Sequence, residues 1–451
     1  MKRKVIIIGG VAAGTSAAAA AKRANPELEI TIIEKRSKIS VGACSFPYFI
    51  GGLVDSPEKL YSFTPKTFKE KKGTEVLTEH AVLEINMSNR QVSVKNLKED
   101  KLFTMDFDIL VIATGSVPIR LPIPGRELDG IFNLKFFEEA VAIKDYMKGN
   151  NVRTVGIVGG GNIGLELIEN FARLGIRSFI VERFPDVVFG YDPEIREIIR
   201  EELKKFEIPL YLETTAMEYS GENGKVTGIK TDKGNFHADM VIESVGIKPN
   251  SELYKDLGLP MLPNGALITN QKCQVEGFSN IYAVGDCASV RNMIIGKHDY
   301  FPLGTTANKQ GRTAGLNIGG TLDLFKGTAK AQVFKLFNLE IGKTGLTEKE
   351  AKDLRFNPVS VTLDLRNKGG VFEKSGNIRI KLIADKETHK VLGCSMAGID
   401  GVAKRLDLFT ALISFDIKLE DAKNLDLTYS PPFSTVWDLN AVAIQKLIDK
   451  I

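Results

Sequence analysis

Apolar residues along the chain gather into short unbroken runs that end on glycine or on an acid. Lys4–Ile8 is such a run, the pattern of a strand buried on both faces. Gly9-Gly10-Val11-Ala12-Ala13-Gly14 follows it, then an alanine-rich helix to about Ala24, then a strand at Ile30–Ile33 that closes on Glu34. The same order returns later. Thr154–Val158 is a strand, Gly159-Gly160-Gly161-Asn162-Ile163-Gly164 a turn, Leu165–Leu174 a helix, and Arg177–Val181 a strand that closes on Glu182. Two smaller pieces accompany these units. Asp108–Ile112 leads into Ala113-Thr114-Gly115-Ser116 and a proline-rich turn, Val117–Gly125, and Asn280–Val284 leads into Gly285-Asp286. In the last quarter the rhythm changes to alternation. Val359–Leu365 and Ile378–Ala384 read as strands of an antiparallel sheet and Ala403–Ile417 as a helix.

Each strand–glycine turn–helix–strand–acid unit has the chemistry of a dinucleotide cradle. The glycines allow a tight turn, the helix N-terminus faces a pyrophosphate, and the acid takes ribose hydroxyls. The second unit is a full GxGxxG; in the first, Val11 stands where the middle glycine would be. Two such units imply two dinucleotides, or one unit put to an unexpected use. Asp286, at a strand end, suits the hydroxyls of a ribityl chain, the alternative being a helix N-cap. The fold class expected is α/β, with two Rossmann-like dinucleotide-binding domains and a C-terminal α/β domain.

Composition narrows the field. A chain of 451 residues suggests about three domains. An apolar share of 43% and a charged share of 26% are ordinary for a soluble globular protein. A net charge of +4 is too mild for a nucleic-acid partner. No apolar stretch is long enough to span a bilayer. The basic, apolar start looks like a secretory leader, but Gly9, Gly10 and Gly14 interrupt it, and it is read as part of the fold. Four cysteines (44, 273, 287 and 394) are too scattered for a disulfide framework or a zinc site, and the four histidines form no spaced pair. No metal and a reducing, cytoplasmic setting are therefore expected.

Cys44 lies in Val41-Gly42-Ala43-Cys44-Ser45-Phe46-Pro47-Tyr48. Glycine before it and Pro47 after it bracket a turn leading into a helix. A cysteine there faces the positive end of a helix, which favours thiolate, the reactive form. The plain alternative is a free cysteine that only packs. The flanking nucleotide signatures favour a lone redox sulfur held against a flavin.

This order of motifs resembles the pyridine nucleotide–disulfide oxidoreductases over nearly the whole chain. Glutathione-reductase-like members carry a close pair of cysteines; here Phe49 stands in the second position. The chain is similar to the single-cysteine branch, which holds coenzyme A-disulfide reductases, NAD(P)H sulfur, persulfide or polysulfide reductases, NADH oxidases and NADH peroxidases. Cys44-x-x-Pro47-Tyr48 and Tyr429-Ser430-Pro431-Pro432-Phe433 resemble the coenzyme A-disulfide and sulfur reductases. The histidine that oxidases and peroxidases of the branch usually place in the first glycine turn is absent.

What the resemblance implies is specific. FAD would lie on Gly9, Gly10, Ala12, Ala13 and Gly14, with Glu34 and Lys35 at the adenosine ribose and Val82 at the adenine. Ala113, Thr114, Gly115, Gly285, Asp286 and Ala307 would hold the rest of the flavin nucleotide. NAD(P)H would use Gly159, Gly161, Ile163, Gly164, Glu182 and Gly246, with Glu166 near the nicotinamide. Glu182 argues for NADH, because a 2′-phosphate would meet its charge, and Arg183 beside it softens the discrimination, so NADH with tolerance of NADPH is expected. Coenzyme A, as substrate or bound cofactor, would meet Ser16, Arg23, Ser40, Lys72 and Asn308. Cys44 would be the redox sulfur and Tyr429 a proton donor reaching the partner subunit's site in a homodimer, with active sites shared across the interface. The FAD domain would comprise 1–150 and 265–325, the NAD(P)H domain 151–264 and the dimerisation domain 326–451. The expected activity is reduction of a small-molecule disulfide, persulfide, polysulfide or sulfur acceptor. Two alternatives stand beside it: an NADH oxidase or peroxidase cycling through a sulfenic acid, and a redox-sensing flavoprotein.

Overall fold

The computed structural model describes residues 2–451. Its first half is a parallel five-stranded sheet in the order Ile281–Ala283, Ile109–Ile112, Lys4–Ile8, Glu29–Glu34, Glu75–Thr78. The inner strands are the continuous apolar runs of the sequence, and Ile7, Ile32 and Val111 are fully buried. The late strand Ile281–Ala283 completes this early sheet by pairing with Ile109–Ile112. A three-stranded antiparallel sheet, His80–Asn86, Gln91–Asn96 and Lys101–Asp106, sits beside it.

The middle of the chain repeats that plan. Ile131–Asn133, Met240–Glu243, Thr154–Val158, Arg177–Val181 and Leu210–Tyr211 form a second parallel five-stranded sheet. A second antiparallel three-stranded sheet, Ala216–Glu222, Lys225–Thr231 and Gly234–His237, accompanies it. The two glycine-turn helices occupy matching places, Ala12–Ala24 and Asn162–Arg173. The first is clamped by the helix Gly304–Ile318. A Cβ at Gly311 would stand 2.2 Å from the Ala13 carbonyl oxygen and one at Gly315 2.3 Å from that of Ala17, so only glycine permits the approach.

The C-terminal part is a five-stranded antiparallel sheet in the order Gln332–Leu336, Leu339–Gly345, Val391–Gly398, Asn377–Asp385, Pro358–Arg366. Helix Val402–Ser414 packs on it, burying Leu406, Phe409 and Leu412. The expected antiparallel strands pair with Val359 opposite Ala384.

One hydrophobic core crosses all three parts. It joins Phe46, Phe49 and Ile50 of the cysteine segment to Leu167, Ile168 and Phe171 of the second glycine-turn helix, and these to Phe334, Leu336 and Phe337 of the C-terminal sheet. Each side chain buried this fully contributes roughly 1.5–3 kcal/mol. Phe206 stacks on Phe337 at 3.7 Å between ring centroids, and Lys335 pairs with the buried Glu169 across the same boundary. Among the described residues, no helix is long and apolar enough to cross a membrane.

Candidate active site

Both glycine turns sit at the C-terminal ends of their sheets, and both are organised by a buried carboxylate. Glu34 accepts hydrogen bonds from the Gly10 N–H (2.7 Å) and the Arg36 N–H (2.8 Å). Glu182 accepts from the Gly160 N–H (2.7 Å) and the Phe184 N–H (2.9 Å). Burial pushes the Glu34 carboxyl up, and the two N–H groups pull it back. Gly9 and Gly159 adopt φ of +109° and +107°, and a Cβ on either would strike the neighbouring strand end, at the Ala113 or Ser244 carbonyl.

The first turn gathers most of the residues expected to hold a flavin. Gly9 abuts Ala113 and Thr114; Gly285 faces Ala13 and Ala307; and the side chain of Gln310 accepts from the Gly285 N–H at 2.9 Å. Asp286 is not a helix N-cap. It lies in a short 3-10 turn, Gly285–Cys287, and accepts from Ser116 Oγ (2.8 Å) and Lys135 Nζ (2.9 Å). Lys35 projects into solvent just after Glu34, and Val82 is half-buried in the adjoining antiparallel sheet. The second turn holds Gly159, Gly161, Ile163, Gly164 and Glu182 together, with Gly246 on the loop after Met240–Glu243. A Cβ on Gly161 or Gly115 would have no neighbour within 4 Å, leaving each cradle open above its backbone. Open backbone N–H groups, a helix start and a buried carboxylate at each turn fit the pyrophosphate and ribose of a dinucleotide.

Cys44 sits in a 3-10 turn, Ala43–Ser45, just ahead of a five-residue helix, Phe46–Ile50, with Pro47 in its first turn. It is the exposed cysteine; Cys273, Cys287 and Cys394 are buried. The expectation that the helix favours thiolate is not met by the protein groups. Desolvation by burial pushes the Cys44 thiol up, the nearby Glu166 carboxylate pushes the same way, and Lys135 opposes them. A helix of one and a half turns has too small a dipole to outweigh desolvation.

Tyr48, on the same short helix, donates to Glu166 Oε1 at 3.3 Å. Burial raises Glu166 to about 7, the Tyr48 hydrogen bond lowers it and Glu169 adds to the rise. Burial, then Glu166, raises Tyr48. Charge and protons around Cys44 are thus handled by Glu166, Tyr48, Lys135 and Asp286, drawn from four parts of the chain. Sequence reasoning missed Lys135, which lies 151 positions from its partner in a stretch without any motif, and gave no role to Tyr48, although the motif contained it.

Of the other expected residues, Ser16 Oγ donates to Asn308 Oδ1 at 2.7 Å, joining two helices. Arg23 is exposed two turns further along the Ser16 helix. Ser40 donates its N–H to the Gly10 carbonyl at 2.9 Å and adopts a φ of +52°. Lys72 ends helix Pro65–Lys72 with its ammonium over the Phe63 ring. Tyr429 is not brought to Cys44 by any hydrogen bond among the described residues. It is half-exposed on the segment that also exposes Phe433, Val436 and Trp437.

Fold and site together present two glycine-turn units, each with a buried carboxylate, and one exposed cysteine. The family model described as "Pyridine nucleotide-disulphide oxidoreductase" matches residues 3–311, and that of the family's dimerisation domain matches 331–441. The chain belongs to this family and is a FAD-dependent NAD(P)H oxidoreductase. It is 36% identical over 439 residues to the "NAD(P)H coenzyme A polysulfide/persulfide reductase" of Pyrococcus horikoshii, covering 97% of both chains. It is 33% identical over 449 residues to an "NADH oxidase" of Methanocaldococcus jannaschii, covering 99% of both. The solved structure of reduced Bacillus anthracis CoADR-RHD superposes with a TM-score of 0.96 at 31% identity, over 100% of this chain and 80% of that one.

Proposed function

We propose that the chain reduces a small disulfide, persulfide, polysulfide or sulfur acceptor with NAD(P)H through Cys44, in a reducing, cytoplasmic setting. The observation that carries the reading is that Cys44 is exposed among the charges of Glu166, Lys135 and Asp286, while the other three cysteines are buried. The Pyrococcus relative's printed name describes the same chemistry.

In this reading Gly9, Gly10, Gly14, Glu34, Ala113–Gly115, Asp286 and Ala307 hold FAD, within a domain formed by 1–150 and 265–325. Gly159, Gly161, Gly164, Glu182 and Gly246, within 151–264, hold the nicotinamide nucleotide. FAD, when bound, supplies the two-electron transfer between nicotinamide and sulfur. The chain's own residues do the rest. Lys135 and Ser116 fix Asp286, which orients the ribityl hydroxyls. The Cys44 thiolate attacks an acceptor sulfur; its S–S bond breaks, a new S–S bond to Cys44 forms, and the departing sulfur takes a proton. Tyr429 of a second copy stands as the donor of that proton. Exposed Phe433, Val436 and Trp437 beside Tyr429 support a homodimer built through 326–451. Coenzyme A would meet Ser16, Arg23, Ser40, Lys72 and Asn308, of which Ser16 and Asn308 are hydrogen-bonded to each other and Arg23 and Lys72 supply positive charge.

Anaerobic assays with coenzyme A disulfide and with polysulfide test the reading. NADH consumption with either, lost by a factor of roughly a thousand or more in Cys44→Ser, is expected. Intact mass of the denatured protein before and after thiol reduction shows whether one coenzyme A leaves Cys44. The Methanocaldococcus relative supports a second reading, an NADH oxidase; oxygen consumption with no turnover of any sulfur acceptor would establish it instead.

A further inference from the structure

A cavity of about 210 Å³ opens beside the antiparallel strand pair Val290–Arg291 and His298–Asp299, and none of the residues around Cys44 lines it. Gln310 separates it from the Gly285 turn. Its Oε1 accepts from the Gly285 N–H at 2.9 Å, and its Nε2 donates to the Ser289 carbonyl at 2.9 Å. Ser289 is buried, whereas His298, Glu276 and Arg291, which line the same cavity, are exposed.

Three of these side chains form one hydrogen-bonded chain. Ser289 Oγ and His298 Nδ1 lie 3.3 Å apart, and His298 Nε2 and Glu276 Oε1 3.2 Å. With the Nε2 proton given to the carboxylate, Nδ1 is left to accept the proton of Ser289. Nucleophile, base and orienting acid thus stand in the order that acyl transfer requires. The backbone holds them in place. The Ser289 N–H donates to the Leu267 carbonyl at 2.8 Å. Asn292 donates its N–H to the Lys297 carbonyl at 2.9 Å and its Nδ2 to Asp299 at 3.0 Å, which fixes the hairpin that presents His298. Arg291 faces His298 across the strand pair and, among the described residues, makes no ion pair. An unspent guanidinium on that wall can take the negative charge that develops on a carbonyl oxygen.

We propose that Ser289, His298 and Glu276 form a second catalytic centre, which hydrolyses esters of short acyl chains independently of the redox chemistry at Cys44. Ser289 Oγ attacks the acyl carbon and its proton passes to His298 Nδ1. The ester C–O bond breaks, and the alcohol leaves with that proton. Water then attacks the acyl-serine, gives a proton to His298, and releases the acid as Ser289 regains its own. The cavity is smaller than the roughly 300 Å³ at which sites for drug-sized ligands begin, so it suits an acyl group of a few carbons.

The test uses the flavin-loaded protein without NADH. A fluorophosphonate probe followed by peptide mass spectrometry is expected to place one adduct on Ser289, a result that needs no variant. p-Nitrophenyl acetate is expected to be hydrolysed, with Ser289→Ala roughly a hundredfold slower and Glu276→Gln slowed less. Both variants are expected to keep their flavin and their NADH-driven turnover of a sulfur acceptor, which separates this centre from Cys44. An adduct on another residue, no adduct on the wild type, or hydrolysis undiminished in Ser289→Ala would overturn the proposal.

Discussion

The two glycine turns are built alike and finished differently. Glu34 and Glu182 hold the same pair of backbone donors in their respective turns. Around the first, Gly311 and Gly315 bring a second helix against the backbone of Ala13 and Ala17, and Val11 occupies the middle position. Around the second, Gly161 keeps that position open. Two residues beyond the last glycine, the first helix carries Ser16, tied to Asn308, and the second carries Glu166, tied to Tyr48. The difference teaches that one supersecondary plan serves as a clamp for a resident group or as a berth for a visiting one, according to what covers it.

The harshest way to break the comparison is Gly14→Ala, whose Cβ would stand 1.9 Å from the Gly9 carbonyl oxygen. We expect protein purified without visible flavin absorbance and turnover reduced by roughly a thousandfold. Gly161→Val, which gives the second turn the first turn's valine, should leave flavin content intact and raise KM for NADH about tenfold, with a smaller change in kcat; steady-state kinetics measures it. Glu166→Gln sharpens the contrast at the helices. Glu166, raised to about 7, is neutral below that pH and charged above it, and its charge holds the Cys44 thiol up. Alkylation of Cys44 in the reduced holoenzyme should therefore lose an inflection near pH 7 and run a few-fold faster at alkaline pH in the variant. The smallest effect should come from Arg36→Ala beside the first turn. Its ring contact with Phe136 and its ion pair with Glu138 lie at the partly solvated surface, so thermal melting should report about 1 kcal/mol or less.

Most of the fold was readable because its determinants are local. Apolar runs ending in Gly-x-x-x-x-Gly and an acid marked both parallel sheets, and alternation marked the C-terminal strands. The Cys44 environment was read less well. Lys135 meets the cysteine only through tertiary assembly, so no spacing announces it, and Glu166, expected near the nicotinamide from the resemblance, was not expected to act on the thiol. The balance between a helix end and desolvation at Cys44 depends on how deeply the sulfur sits, which local sequence does not encode. The stacking of Phe184 on Phe189 after Glu182, at 5.3 Å between ring centroids, was also silent, since it depends on a loop tied back to Gly160 by the Val188 N–H.

The apolar seam running from Phe46 through Phe171 to Phe337 has a mechanical consequence. Any motion that drew the second glycine-turn helix away from the cysteine segment would have to bare Phe46, Phe49, Leu167 and Phe171 to water, so the seam opposes such a parting.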